Sequence, residues 1–140
     1  MLRRQAFSLP PHPASVSLAR LRVHDHLAAW GHKEESGALQ DTVLLVSELA
    51  TNAVCHGHVQ EREFEVAVTV LADGDCFIEV SDESPTRPEL REVGPWEENG
   101  RGLRLLDGLA EAWGVWQRGR HGKTVWALVR GRDARQAALP

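Results

Sequence analysis

In the run Ser47-Glu48-Leu49-Ala50-Thr51-Asn52-Ala53-Val54-Cys55-His56-Gly57, the polar residues Glu48, Asn52 and His56 fall at i, i+4 and i+8. On a helix this spacing aligns them in one stripe, with Leu49 and Ala53 turned toward a core. A carboxylate and an amide one turn apart suit a proton acceptor and an oxygen-seeking cation. Mg²⁺ takes one or two protein oxygens and completes its shell with phosphates and water. Asn52 would then give an oxygen to the metal, and Glu48 would orient or deprotonate a nucleophile, as the positioned base of phosphoryl transfer does. The same spacing also describes a solvated helix face.

Asp82 follows an apolar strand-like run, in Val80-Ser81-Asp82-Glu83-Ser84-Pro85. A carboxylate at a strand end that opens into a cleft can accept a hydrogen bond from an exocyclic amine such as that of adenine. It can equally cap the turn that Pro85 enforces. Further on, Asn99-Gly100-Arg101-Gly102-Leu103 opens a helical pattern. Glycines there let the backbone approach an anion, the first N–H groups of a helix can hold phosphate, and Arg101 could add a charge-assisted contact. A flexible joint ahead of a helix has the same composition. Each signal is short, and three in one chain weigh more than any one alone.

The elements that must position these residues follow from hydrophobic period. Ala6–Leu9 reads as a short possible strand ended by Pro10, Pro11 and Pro13, so it would lie at an edge or stop there. Val16, Ala19, Val23, Leu27 and Trp30 recur at helical spacing from Ser15 to Trp30, with Gly31 as the C-cap. A second helix is predicted from about Ser36 to His56, ended by Gly57, with Leu39, Val43, Val46, Leu49 (or Ala50) and Ala53 on its apolar face. The period then changes to two across Phe64–Leu71, Asp73–Gly74 signals a hairpin, and Cys76–Val80 is the return strand. Ser84–Gly102 is rich in Pro, Gly and Glu without periodicity, the mark of a functional loop or lid. A third helix is predicted over Leu103–Ala112. Strands Gly114–Gln117 and Thr124–Val129 close the chain around the turn RGRHGK, and a polar, frayed tail follows from Gly131. The order β-α-α-β-β-loop-α-β-β predicts an α+β two-layer sandwich. It would have one mixed, mostly antiparallel sheet covered on a single face by helices.

Bulk properties narrow the function classes. The 140 residues suit one domain with its core at about 14–130 and short flexible ends, and 42% are apolar. No run approaches the ~18 apolar residues of a membrane helix. The start MLRRQAFSLPPHP lacks an apolar signal region, so no membrane association and a cytoplasmic location are expected. A net charge of -4 argues against direct nucleic-acid binding. Among 16 basic residues only Lys33 and Lys123 are lysines. Cys55 and Cys76 read as reduced core residues. His24 and His26 would point about 200° apart on a helix and cannot share one ion without distortion, and Cys55-His56-x-His58 has no second ligand pair. Trp30, Trp113 and Trp126 read as core or interface residues, whereas Trp96 falls in the lid.

Where these three signals align, the chain resembles the Bergerat-fold (GHKL) ATPases. SELATNAVCHG resembles their N box. VSDESPTRP resembles the first glycine box in the variant with Ser-Pro after the aspartate, and NGRGLRLLDGLAEAWGV with GKTVWALV resembles the second glycine box and closing strands. The branch is that of the small anti-sigma-factor serine kinases and their histidine-kinase-like ATP-binding relatives, and the resemblance runs over roughly Ala14–Arg130. It implies ATP and Mg²⁺ as cofactors, Glu48 as catalytic base and Asn52 as Mg²⁺ ligand. It further implies Asp82 as reader of the adenine amine, Gly100, Arg101, Gly102 and Leu103 around the phosphates under a lid, and Thr124 near the adenine. His56 and Gly57 match the end of the N box in a supporting place. Asp82-Glu83-Ser84-Pro85 departs from the superfamily's Asp-x-Gly-x-Gly, which reduces backbone freedom at the first hinge of the lid. The expected activity is that of an anti-sigma-factor serine/threonine protein kinase, which phosphorylates a STAS-type anti-anti-sigma partner and binds a sigma factor. The resemblance also admits a homodimer. The alternative is a non-catalytic, ATP-dependent interaction module of the same fold.

Overall fold

The computed structural model describes residues 2–33, 36–56, 62–83, 106–117 and 122–131. The elements run β1 (Arg3–Leu9), α1 (Ala14–Ala29), α2 (Gly37–His56), β2 (Phe64–Val70), β3 (Cys76–Asp82), β4 (Ala112–Gln117) and β5 (Lys123–Val129). The fold is α+β: five strands form one sheet in the order β1-β2-β3-β5-β4. Every pairing is antiparallel, where the element order had allowed a mixed sheet. Each strand neighbour is reached by a hairpin or a return crossing, so no parallel pair is needed.

Local sequence explains the helix ends. Helix α1 stops in a paired closure, with Gly31 N–H donating to the Ala28 carbonyl at 3.2 Å and His32 N–H to the Leu27 carbonyl at 3.0 Å. This closure requires a left-handed residue, which Gly31 supplies at φ 102°. The Ser36 hydroxyl caps α2 by accepting from the Leu39 N–H at 3.1 Å. Within α2, the Thr42 hydroxyl bonds back to the Ala38 carbonyl at 2.6 Å, which satisfies a polar group that is fully buried.

Strand alternation sorts the sheet into two faces. Val66, Val68, Ile78, Val80, Val125 and Ala127 lie on the buried side with Leu27, Leu45, Val46, Leu49 and Ala53 of the helices. Helix α1 lies against α2 and toward β1 and β2, while α2 crosses β3 and β5. The opposite face carries an aromatic group. Phe77 stacks on Trp126 with centroids 5.7 Å apart, and Trp116 tilts against Trp126 at 5.6 Å. Trp126 therefore lies outside the helix-covered core, whereas Trp30 and Trp113 pack against it.

Several boundaries differ from the sequence reading. Strand β1 starts at Arg3 rather than Ala6, because its edge position pairs Arg3 through Leu9 with β2 regardless of exposed side chains. Helical structure after the lid ends at residue 109, and β4 begins at Ala112, where the predicted helix was to end. The sheet wins there: the Glu111 N–H already donates to the Leu128 carbonyl at 2.8 Å. Gly131 is tied down, its N–H donating to Asp75 at 2.7 Å, so the frayed tail cannot start there. Cys55 is exposed, not a core residue; Cys76 is buried as expected. The lid at 84–102, Trp96, Gly57, His58 and the chain beyond 131 lie outside the described residues. Among the described residues, no helix is long and apolar enough to cross a membrane.

Candidate nucleotide site

Helix α2 brings Glu48 and Asn52 to one border of its buried face. Both side chains are half-buried, and their neighbours Leu49 and Ala53 are buried. This is the consequence of i, i+4 spacing beside an apolar face on a helix packed across the central strands. Glu48 and Asn52 therefore stand as two oxygen-bearing groups at the edge of the helix–sheet layer. Their chemistry fits a hard divalent cation that keeps waters and phosphate oxygens in its shell.

Asp82 is the last residue of β3 and pairs across the ladder with Lys123, the first residue of β5. Strand β3 ends two residues later than the predicted Val80, because Ser81 and Asp82 pair with Thr124 and Lys123, and Asp82 stands at the strand end. Asp82 shares the helix-facing side with Val80 and Ile78. The Lys123 ammonium donates to Asp82 Oδ1 at 3.1 Å, and the two side chains are only 8% and 7% exposed. Backbone geometry at this junction is tight. Gly122 has φ 134°, and a Cβ there would run into the Asp82 carbonyl oxygen.

Thr124 sits next to this pair in sequence but on the other side of the sheet. Its hydroxyl and that of Ser81 are 2.7 Å apart, and both are buried. It pairs with Trp116 of β4, on the aromatic face. Asp82 and Lys123 are thus brought together by the structure, while Thr124 is set on the face away from Asp82, with the sheet between them. Sequence reasoning had marked Lys123 only as one of two lysines. The usable signal was parity: in an antiparallel ladder with Ser81 opposite Thr124, the residue facing Asp82 must be Lys123. Gly100, Arg101, Gly102 and Leu103 lie outside the described residues. Leu106, the first described residue after them, is fully buried in the core.

The histidines separate as their spacing requires. His26 stacks on Trp30 at 5.5 Å, whereas His24 Nδ1 lies 3.2 Å from Asp25 Oδ1. His32 Nε2 is 3.7 Å from the buried Cys76 sulfur.

Comparison with known proteins agrees with this fold. The profile of the histidine kinase-like ATPase domain family matches residues 9–129. An uncharacterized protein of Streptomyces coelicolor, SCO4941, is 40% identical over 76 residues, covering 53% of this chain and 71% of that protein. The crystal structure of the RsbU and RsbW domains of Rv1364c from Mycobacterium tuberculosis superposes with a TM-score of 0.70 at 22% identity, over 91% of this chain and 32% of that one. The chain thus spans about a third of that structure's length. The SiaB–SiaC complex from Pseudomonas aeruginosa gives a TM-score of 0.62 at 15% identity, covering 89% and 88% of the two chains. At these identities the structural likeness establishes the fold.

Proposed function

We propose that this chain, which belongs to the histidine kinase-like ATPase domain family, is an ATP-dependent serine/threonine protein kinase of the anti-sigma-factor type. ATP would lie between α2 and the helix-facing side of β3 and β5, with its base toward Asp82. Asn52 would hold Mg²⁺, which when bound neutralises phosphate charge. Gly100, Arg101, Gly102 and Leu103 would close on the phosphates. Glu48 accepts the proton of an acceptor serine as its oxygen bonds to the γ-phosphorus and ADP leaves. Thr124, on the far face, acts through the Ser81 contact that holds the β3–β5 ends together rather than on the base. The acceptor would be a STAS-type anti-anti-sigma protein and the sequestered partner a sigma factor. A homologous fold solved as a complex, SiaB with SiaC, supports a protein partner.

The observation that carries the reading is the half-buried Glu48–Asn52 pair on a helix packed across β3, whose last residue is Asp82, and β5, whose first is Lys123. Incubation with Mg·ATP and a cognate antagonist should yield phosphoserine. Glu48→Gln should abolish transfer while leaving ATP affinity within about twofold. Transfer that persists in Glu48→Gln removes Glu48 as the base, and ATP retained without transfer to any antagonist identifies an interaction module instead.

A further inference from the structure

We infer that Lys123 reads the base together with Asp82: its ammonium donates to the ring nitrogen beside the adenine amine that Asp82 accepts. The inference rests on the reading above that Asp82 faces a purine, and deepens it by assigning the determinant of base choice.

Three observations lead there. Ladder parity puts Lys123, not Thr124, on the helix-facing side of the sheet beside Asp82. The pair is almost wholly buried, at 8% and 7% exposure, with Nζ 3.1 Å from Oδ1. Among the described residues, the ammonium is hydrogen-bonded to Asp82 alone. An ammonium carries three N–H donors, and leaving donors unspent in a buried site is unfavourable, so the arrangement calls for a further acceptor. A carboxylate has about four lone-pair sites, so an amine can join Lys123 on Asp82 without displacing it.

Side by side, the two groups present one acceptor and one donor. Adenine offers the matching order on either edge, an amine hydrogen next to an unprotonated ring nitrogen, N1 or N7. Guanine puts an oxygen where adenine has its amine, and that oxygen would face the carboxylate. Misplaced polar groups in a buried, built site discriminate far more strongly than a change in apolar contact. The ladder sets Asp82 opposite Lys123, and the backbone at the adjoining Gly122 leaves no room for a Cβ against the Asp82 carbonyl.

The test is calorimetric titration of the full chain, in Mg²⁺, with ATP, 1-deaza-ATP and 7-deaza-ATP. One of the two analogues should bind the wild type about tenfold or more weakly than ATP, the value of a charged hydrogen bond. In Lys123→Met that penalty should shrink to about twofold or less. Because Lys123→Met takes the lysine charge away from the buried Asp82 carboxylate, the same comparison is made in Asp82→Asn/Lys123→Met. There the amide oxygen still accepts from the amine and no charge is stranded, and the penalty should again vanish. A penalty that survives without the lysine, or its absence from the wild type for both analogues, overturns the role of Lys123. A folded wild type that binds no ATP at all defeats the nucleotide-site reading itself, and Lys123's role with it; ATP binding without a deaza penalty defeats the lysine's role alone.

Discussion

The Asp82–Lys123 pair gives the most direct physical test of how the site is built. At 3.1 Å and under a tenth exposed on each side, the two charges attract by about 5 kcal/mol at an effective dielectric of about 20. Desolvation offsets much of that attraction, so the pair's net worth is small. Deleting one partner is another matter, since it removes the counter-charge facing a buried charge, at a cost of about 3–5 kcal/mol. Against a total stability of roughly 5–15 kcal/mol, that is a large fraction, equal to a fall in Tm of roughly 10–17 °C for a domain of this size. Lys123→Met should show the full loss. Asp82→Asn should sit at the low end, since its amide oxygen can still accept from the ammonium. The double variant Asp82→Asn/Lys123→Met, with no stranded charge, should return to within about 2 kcal/mol of the wild type. Guanidinium denaturation of all four proteins without nucleotide measures the cycle free of ligand stabilisation. Single losses that add to the double loss within about 0.5 kcal/mol would refute the reasoning, because uncoupled losses mean that the two charges do not depend on each other.

Other perturbations follow from the same geometry. Gly122→Ala combines a left-handed φ of 134° with a collision at the Asp82 carbonyl, so it should lose about 2–4 kcal/mol in denaturant melts and weaken ATP binding in titration; wild-type behaviour in both would contradict the close approach. In Gly114→Ala the new Cβ would come to 2.8 Å from Trp126 Cζ2, which should cost about 1–3 kcal/mol and shift tryptophan fluorescence while sparing ATP affinity. Burial, aided by the nearby Asp75 charge and opposed by Thr42, pushes the Cys76 thiol from 9.0 up to about 11. The folded thiol thus stays protonated where the unfolded one ionises: its contribution to stability is full below pH 9 and lost as pH climbs to 11. The wild type should therefore lose about 2–3 kcal/mol relative to Cys76→Ala over that window, and parallel pH profiles for the two proteins would dismiss the effect. A thiol reagent at pH 8 should modify exposed Cys55 quickly and buried Cys76 only on unfolding, as counted by absorbance; two equally fast thiols would contradict the packing of Cys76.

Periodicity made the layers legible. The apolar spacing of α1 and α2 and the alternation of Phe64–Val70 identified the elements and the buried side of each, because those patterns are what a two-layer core demands. Ser36 and Gly31 marked helix boundaries through capping chemistry that is local to the sequence. The ends of strands were less legible, since pairing partners rather than local preference decide them. Asp82 entered β3 because β5 was there to meet it, and Ala112 entered β4 because Leu128 was. The aromatic group of Phe77, Trp116 and Trp126 also escaped notice, as it joins two neighbouring strands to Phe77 on a strand distant in sequence.

At the site, the residue types were readable and one partnership was not. Glu48 and Asn52 belong to a single helix, so spacing alone put them on one border. The companion of Asp82 depends on register between strands about forty residues apart, and a slip of one residue exchanges Lys123 for Thr124 and turns each to the other face. Resemblance to a motif carries residue types but does not by itself carry this parity. The hydroxyl expected near the base instead bonds Ser81 across the ladder at 2.7 Å, and a charged donor takes the inner position. A hydroxyl there could have served as donor or acceptor alike, whereas an ammonium only donates. If Asp82 reads the base, that difference makes the inner position of β5 intolerant of any base that offers a donor where adenine has its ring nitrogen.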